Sequence, residues 1–324
     1  MPADGLPSAE SLWVEPAIDH LAGAILCTVA YADVFDYALT PAQLHRYLVA
    51  HEATRQEVLH ALEAPGLPRE RLDQKNGLLA LRGRDDLFEL RHHRAAVAAE
   101  LWPLARRFAN AIAALPFVRA ITLTGALAVG NCEDDDDFDY LIITAAGRLW
   151  LTRALIIGLV VKPAARRGYE VCPNYLLSER QLTLDERNLY VAHELAQMVP
   201  LAGIDTYHLL RARNAWASRF LPNASGLPRR VEPSVAVGSS LGSLAELGLG
   251  TFVGGRLEQF ERRRKIRRFS AHGDGSATTC FDEHHCKGHF ESNEHLIQQA
   301  FAERLRELAG PEGTPPTPAQ EVGP

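Results

Sequence analysis

The stretch LTGALAVGNCEDDDDFDYLIIT, residues 123–144, constrains this chain more than any other. It begins at the end of Val118–Thr124 (VRAITLT), a β-branched, apolar run that reads as a buried strand. Gly125 then permits a tight turn and a close backbone approach. After a small-residue segment containing Gly130, Asp137-Phe138-Asp139 opens a second strand, Phe138–Thr144 (FDYLIIT). Strand side chains alternate faces, so Asp137 and Asp139 point the same way. Two carboxylates side by side repel each other, which is costly unless a cation sits between them. Oxygen donors with phosphate nearby suit Mg²⁺. A glycine turn whose free N–H groups face that ion would cradle a triphosphate. The competing reading is that the five acids Glu133 to Asp137 form only a solvated loop. The strand register, the glycine turn and the spacing of 12 positions from Gly125 to Asp137 argue against it, leaving Asp134–Asp136 as loop.

Around this stretch the sequence alternates strand and helix. Arg148–Lys162 reads as an apolar helix and Tyr169–Ser178 (YEVCPNYLLS) as a third strand, in which Pro173 suits an edge or a bulge. Strand, loop, strand, helix, strand is an α/β arrangement. Upstream, Ile18–Ala32 has helical spacing, Thr40 before Pro41 and Thr54 read as N-caps of two further helices, and Asn76-Gly77 between apolar runs is a hairpin signal. Three helices and a hairpin at this length make a winged-helix pattern. A connecting helix is expected over 101–115. Beyond residue 184 helices are expected over Asp185–Pro200, Asp205–Leu221, Leu241–Phe269 and Asn293–Leu308. The division that follows is a loose arm 1–16, a winged-helix-like domain 17–100, an α/β domain 101–184, a helical domain 185–309 and a disordered tail 310–324, rich in Pro, Gly, Thr and Glu.

The glycine turn followed by Asp–x–Asp at a strand start resembles the nucleotidyltransferase superfamily of DNA polymerase beta. The segments GALAVGN and DDFDYLIIT resemble bacterial predicted nucleotidyltransferases, as do YADVFDYALT (31–40), NLYVAHELAQMVPL (188–201) and NAWASRFLPN (214–223). The resemblance covers roughly residues 20–305. It implies a nucleotidyltransferase-fold mixed sheet and a two-metal, Mg²⁺-dependent transfer of a nucleoside monophosphate, with pyrophosphate leaving. The expected donor is an NTP, in the first place ATP, and the acceptor is unidentified. Carried onto this chain, the family's pattern puts the metals on Asp137 and Asp139 and the triphosphate against Gly125 and the amides around Ala126. The serine usual after the glycine is Ala126 here, so binding is weaker or relies on Thr124 and Asn131. On the third strand the same-face positions are Glu170, Cys172 and Asn174. Either Glu170 is the metal-bound base, or it sits at the strand mouth and Asn174 takes the third place, where an amide abstracts no proton. A different class of reading is a catalytically inactive nucleotidyltransferase-fold protein that binds or regulates through its winged-helix module.

Composition narrows the partners. The chain is 47% hydrophobic and 23% charged with a net charge of −6, so a globally basic nucleic-acid binder is not expected. Residues 1–100 hold nine Lys and Arg against fifteen Asp and Glu, and DNA affinity rests on Lys and Arg contacts to phosphate. The winged-helix-like segment therefore reads as a packing module before a DNA reader. Five scattered cysteines and the lack of a visible signal sequence favour the cytoplasm. The longest apolar run, Leu149–Val161, contains Arg153 and is too short to span a membrane. RLEQFERRRKIRRF (256–269) reads as a solvated helix face, or else as a contact for a polyanion. Cys280, Cys286, His289 and His295 are off-pattern for zinc; the bland reading is a polar loop, with Lys287 and His289 reaching a triphosphate as the functional one. Glu194, Asn214 and Trp216 are candidates for an acceptor pocket that spacing alone does not decide.

Overall fold

A computed structural model describes residues 20–228, 237–238, 240–272, 282–287 and 290–309; the arm 1–16, the tail 310–324 and the positions of Cys280 and His289 lie outside the described residues. The N-terminal elements are α1 (Leu21–Asp33), α2 (Pro41–Arg46), α3 (Arg55–Glu63), a short α4 (Leu67–Arg71), and the hairpin strands β1 (Leu72–Lys75) and β2 (Leu78–Leu81). Thr40 and Thr54 both close capping boxes, with Gln43 and Glu57 returning the bond. Asn76 and Gly77 carry φ of 52° and 75° between paired Lys75 and Leu78. Both being positive is what a two-residue hairpin turn of the primed type requires.

The centre is a mixed five-stranded sheet in the order β6-β3-β4-β5-β7. Its strands are β3 (Val118–Leu123), β4 (Phe138–Thr144), β5 (Val171–Ser178), β6 (Val199–Ala202) and β7 (His285–Lys287). Only β4 and β5 run parallel. Their crossover is α7 (Leu149–Ile156), a π-turn (Ile157–Val161) and α8 (Lys162–Ala165), a succession the sequence shows as one apolar helix. Between β3 and β4 lies the five-residue α6 (Gly125–Val129), ended by Gly130 at φ 72°. Pro173 falls where β5 slips register against β4: Asp139 pairs with Cys172, but Leu141 pairs with Tyr175. The extra residue makes a bulge, which tolerates the missing N–H.

Four expectations change. The connecting helix starts much earlier than residue 101, running as α5 over Asp86–Ala113 and through Pro103. The helix expected over Asp185–Pro200 shrinks to α9 (Leu189–Gln197), because Val199–Ala202 pairs with β3 as an edge strand, where Pro200 is tolerated. Residues 285–287, expected as loop, pair with β5. The remaining helices are α10 (Ile204–Arg213), α11 (Ser240–Leu249), α12 (Phe252–His272) and α13 (Phe290–Ala309), so the expected Leu241–Phe269 helix is broken in two.

Alternation along β4 builds a core on each side of the sheet. Phe138, Tyr140 and Ile142 pack with α5 and α7. Leu141 and Ile143 pack on the opposite side with α1, α9 and α13. Residues from 17–100 and from 185–309 therefore share one core over a single sheet face. Buried Asp33 at the end of α1 reinforces it, holding Arg84 at 2.8 Å and also Arg304 of α13. Among the described residues no helix is long and apolar enough to cross a membrane.

Candidate functional site

Asp137 and Asp139 belong to the β4 face that looks toward α1 and α9. Their carboxyl oxygens and the Cys172 sulfur all lie within 4.8 Å of one another. Cys172 is there because it is the residue of β5 directly beside Asp139. Its thiol hydrogen-bonds with both carboxyl groups, and burial together with those two acids pushes its pKa far up, keeping it protonated. Burial, then the neighbouring Asp137 charge, raises Asp139 to about 7. Asp137 is raised too, by burial first and by Glu170 second. The pair is thus a half-desolvated like-charge site, the arrangement that a cation relieves.

The glycine bend presses on this pair. Gly125 has φ +68°, and a Cβ added there would stand 2.6 Å from Asp139 Oδ2. Gly125→Ala should therefore push the Asp139 carboxyl aside. Its expected cost is about 1–2 kcal/mol in stability from the left-handed backbone, and roughly 10²-fold in any reaction that needs the carboxyl in place. Thermal melts and turnover of the same preparation check the two figures.

The acids open onto a cavity of about 430 Å³ between the sheet, α1 and α9. Gly125, Ala126, Asn131, Asp137 and Asp139 all line it, as do Cys172 and Asn174. Thr124 does not: it borders a separate cavity of about 30 Å³, and its buried hydroxyl makes no hydrogen bond. Asn131 spends its side chain on structure, donating to the Phe35 carbonyl at 2.9 Å and accepting from Arg94 at 3.3 Å. Glu170 stands exposed just ahead of β5, where its carbonyl accepts from the Phe138 N–H at 2.8 Å, and it is not part of the cavity wall. Of the acidic run, Glu133 pairs with Arg94 at 2.7 Å, while Asp136 accepts from the Glu133 N–H at 2.8 Å. Asp134 and Asp135 are exposed loop.

Sequence reasoning left the far wall largely unread. Helix α9 contributes Tyr190, His193, Glu194 and Gln197, and α1 contributes Thr28, Tyr31 and Ala32. The first four follow i, i+3, i+4, i+7 spacing, so they share one helix face; that periodicity was the available signal. Tyr31 stacks on His193 with ring centroids 4.0 Å apart. Burial lowers His193 to about 4, so its ring is neutral at pH 7. Burial, with Asp139 second, raises Glu194 to about 7. Asn214 is instead a scaffold residue, bonding Leu184 N–H and the Leu182 and Leu210 carbonyls. It and Trp216 do not line the cavity. Lys287 is buried and paired with Glu186 at 2.8 Å, bordering the 30 Å³ cavity instead of the large one. On α12, Glu258 accepts from the Trp150 and Leu151 N–H groups at 2.9 and 2.7 Å, while Phe260 is 61% exposed. No protein-family model, curated protein or solved structure matches the chain.

Proposed function

We propose that the chain is a nucleotidyltransferase that moves a nucleoside monophosphate from an NTP, ATP first, to a small acceptor. The observation that carries this reading is the convergence of Asp137 and Asp139 beside the Gly125 bend at a cavity large enough for a ligand. The chemistry of the donors fits Mg²⁺: two carboxylates supply hard oxygens, whereas the protonated Cys172 thiol is a poor partner for such an ion. Held by Asp137 and Asp139, Mg²⁺ would neutralise the pair and withdraw charge from a phosphate oxygen. In the transfer, an acceptor oxygen forms a bond to the α-phosphorus. The bond from that phosphorus to the bridging oxygen breaks, pyrophosphate leaves with the electron pair, and the acceptor's proton passes to a base. The chain's own part is to hold the acids in register on β4, to leave room for phosphate over Gly125 and Ala126, and to exclude water with the α1 and α9 walls. In this reading the sheet with its added helices is the nucleotidyltransferase fold, and residues 17–100 are a winged-helix-like module turned to packing.

The test is transfer of label from α-labelled NTPs in the presence of Mg²⁺ and cell extract, comparing wild type with Asp137→Asn. A labelled product with wild type and none with the variant is expected; identical outcomes for the two would overturn the reading. One observation favours a second reading, nucleotide binding without turnover: Cys172 takes the β5 position beside Asp139, and Glu170 lies outside the cavity. That reading expects Mg²⁺-dependent NTP binding by wild type with no pyrophosphate release.

A further inference from the structure

Besides the metal-type pair, the large cavity has aromatic walls and a third acid, Glu194, near enough for the Asp139 charge to raise it. Its walls include Phe35, Tyr31, Tyr37, Tyr47, Tyr190 and His193. They are held in place by contacts outside the cavity. The Tyr37 hydroxyl donates to the Val129 carbonyl at 2.8 Å and accepts from Gln43 at 2.7 Å. Tyr31 packs edge-on against Phe301 at 5.5 Å. Two polar groups in this region lack partners. The Tyr31 hydroxyl is buried and makes no hydrogen bond, although Tyr31 is only 4% exposed. The Glu194 carboxyl also lines the cavity, and none of the described residues hydrogen-bonds or ion-pairs with it. Among the described residues of the wall none is Lys or Arg, against three carboxylic acids.

Such a wall is costly without a ligand. A half-buried carboxyl with no protein partner loses part of its hydration and gains nothing in return. Tyr37 and Tyr47 already have Arg91 and Arg46 over their rings, at 4.6 and 5.8 Å, and Tyr31 stacks on His193, so it is Phe35 and Tyr190 whose faces add a preference for a cation over a neutral group. A polyphosphate is repelled by the same features unless a metal held by Asp137 and Asp139 offsets its charge. From this cavity we infer that the acceptor is an organic amine, bound as a cation between the aromatic walls with its ammonium group on Glu194. The volume suits a molecule of drug-like size. Burial holding Glu194 near neutrality means that the carboxyl is charged, and the pairing strongest, above about pH 7. Calling this ligand the acceptor rests on the nucleotidyl-transfer reading; its binding does not.

The experiment uses the full chain at pH 8 without nucleotide. Calorimetry and thermal shift compare organic cations with their neutral twins: tyramine with tyrosol, and choline with 3,3-dimethylbutanol. At least one amine is expected to bind ten-fold or more tightly than its twin, and Glu194→Gln is expected to erase that preference. The variant is near-isosteric and removes a half-buried acid, so it should melt no lower than wild type; Glu194→Leu takes its place if it does not fold. Asp137→Asn should keep the amine preference while losing label transfer. No amine preferred by wild type, or a preference that survives at residue 194 as Gln, overturns the inference. Absent label transfer with the preference intact instead sinks only the nucleotidyl-transfer reading.

Discussion

Asp139→Asn is expected to abolish label transfer and, at the same time, to raise the melting temperature of the metal-free protein at pH 8. The two effects have one cause. In the folded chain burial and Asp137 lift Asp139 from an ordinary 3.8 to about 7. Below about pH 4 the carboxyl is protonated whether the chain is folded or not, and it costs nothing. Between about pH 4 and pH 7 the unfolded chain releases the proton while the folded chain keeps it, so stability falls as pH rises. Above about pH 7 the loss is complete and the curve flattens. At about 1.4 kcal/mol per unit, the penalty that the amide removes is roughly 2–4 kcal/mol, worth several degrees of melting temperature. Glu194, lifted in the same direction, adds a second decline over the same window, so the variant's curve should be shallower but not flat. Mg²⁺ should recover stability in wild type at pH 8 and recover little in the variant. A metal ion supplies several kcal/mol of charge stabilisation in transfer, and at 1.36 kcal/mol per decade the activity lost is roughly 10³-fold. Melts in EDTA across pH 4–9, repeated with Mg²⁺, check the stability half. Equal melting curves for the two proteins would refute it.

Gly203→Ala should be strongly damaging although it lies away from the cavity. Gly203 links β6 to α10 at φ +70°, and its Cα lies against the backbone of β3. An added Cβ would meet the Arg119 carbonyl oxygen at 2.1 Å and the Ala120 Cα at 2.7 Å. Neither atom is the end of a flexible side chain, so relief requires moving β3 away from β6. Overpacking costs typically 1–3 kcal/mol, and the left-handed backbone about 1–2 kcal/mol more. The expected loss is roughly 3–5 kcal/mol, read as a large fall in urea midpoint. Because β3 leads directly into Gly125, binding at the cavity should weaken as well. A variant within about 1 kcal/mol of wild type would show that the β3–β6 edge is soft.

Legibility differed along the chain for physical reasons. Period-2 alternation made β4 readable to the residue, and with it the shared direction of Asp137 and Asp139. Capping residues located α2 and α3, since Thr40 and Thr54 act through bonds spanning three residues. Asn76-Gly77 marked its hairpin by its backbone preference alone. β6 and β7 were unreadable because strands of four and three residues gain their stability from the neighbour they pair with. Gly83 marks a break after the hairpin, yet residues 86–100 carry too irregular an apolar spacing to be read as helix, and the expected connecting helix covers α5 only from residue 101.

By itself, the sequence determined the local geometry: two acids on one side of a strand, a glycine where the chain must bend, and caps and turns at their places. Tertiary structure alone decided what faces those acids. The register of β5 against β4 brings the Cys172 thiol beside them while Glu170 stands outside, and packing of α1 and α9 over the same sheet face encloses an aromatic cavity containing Glu194. Local preferences act over a few bonds and can be read from neighbours in the chain. The residues lining this cavity span from Thr28 to Ile297, and only burial of a common core brings them together.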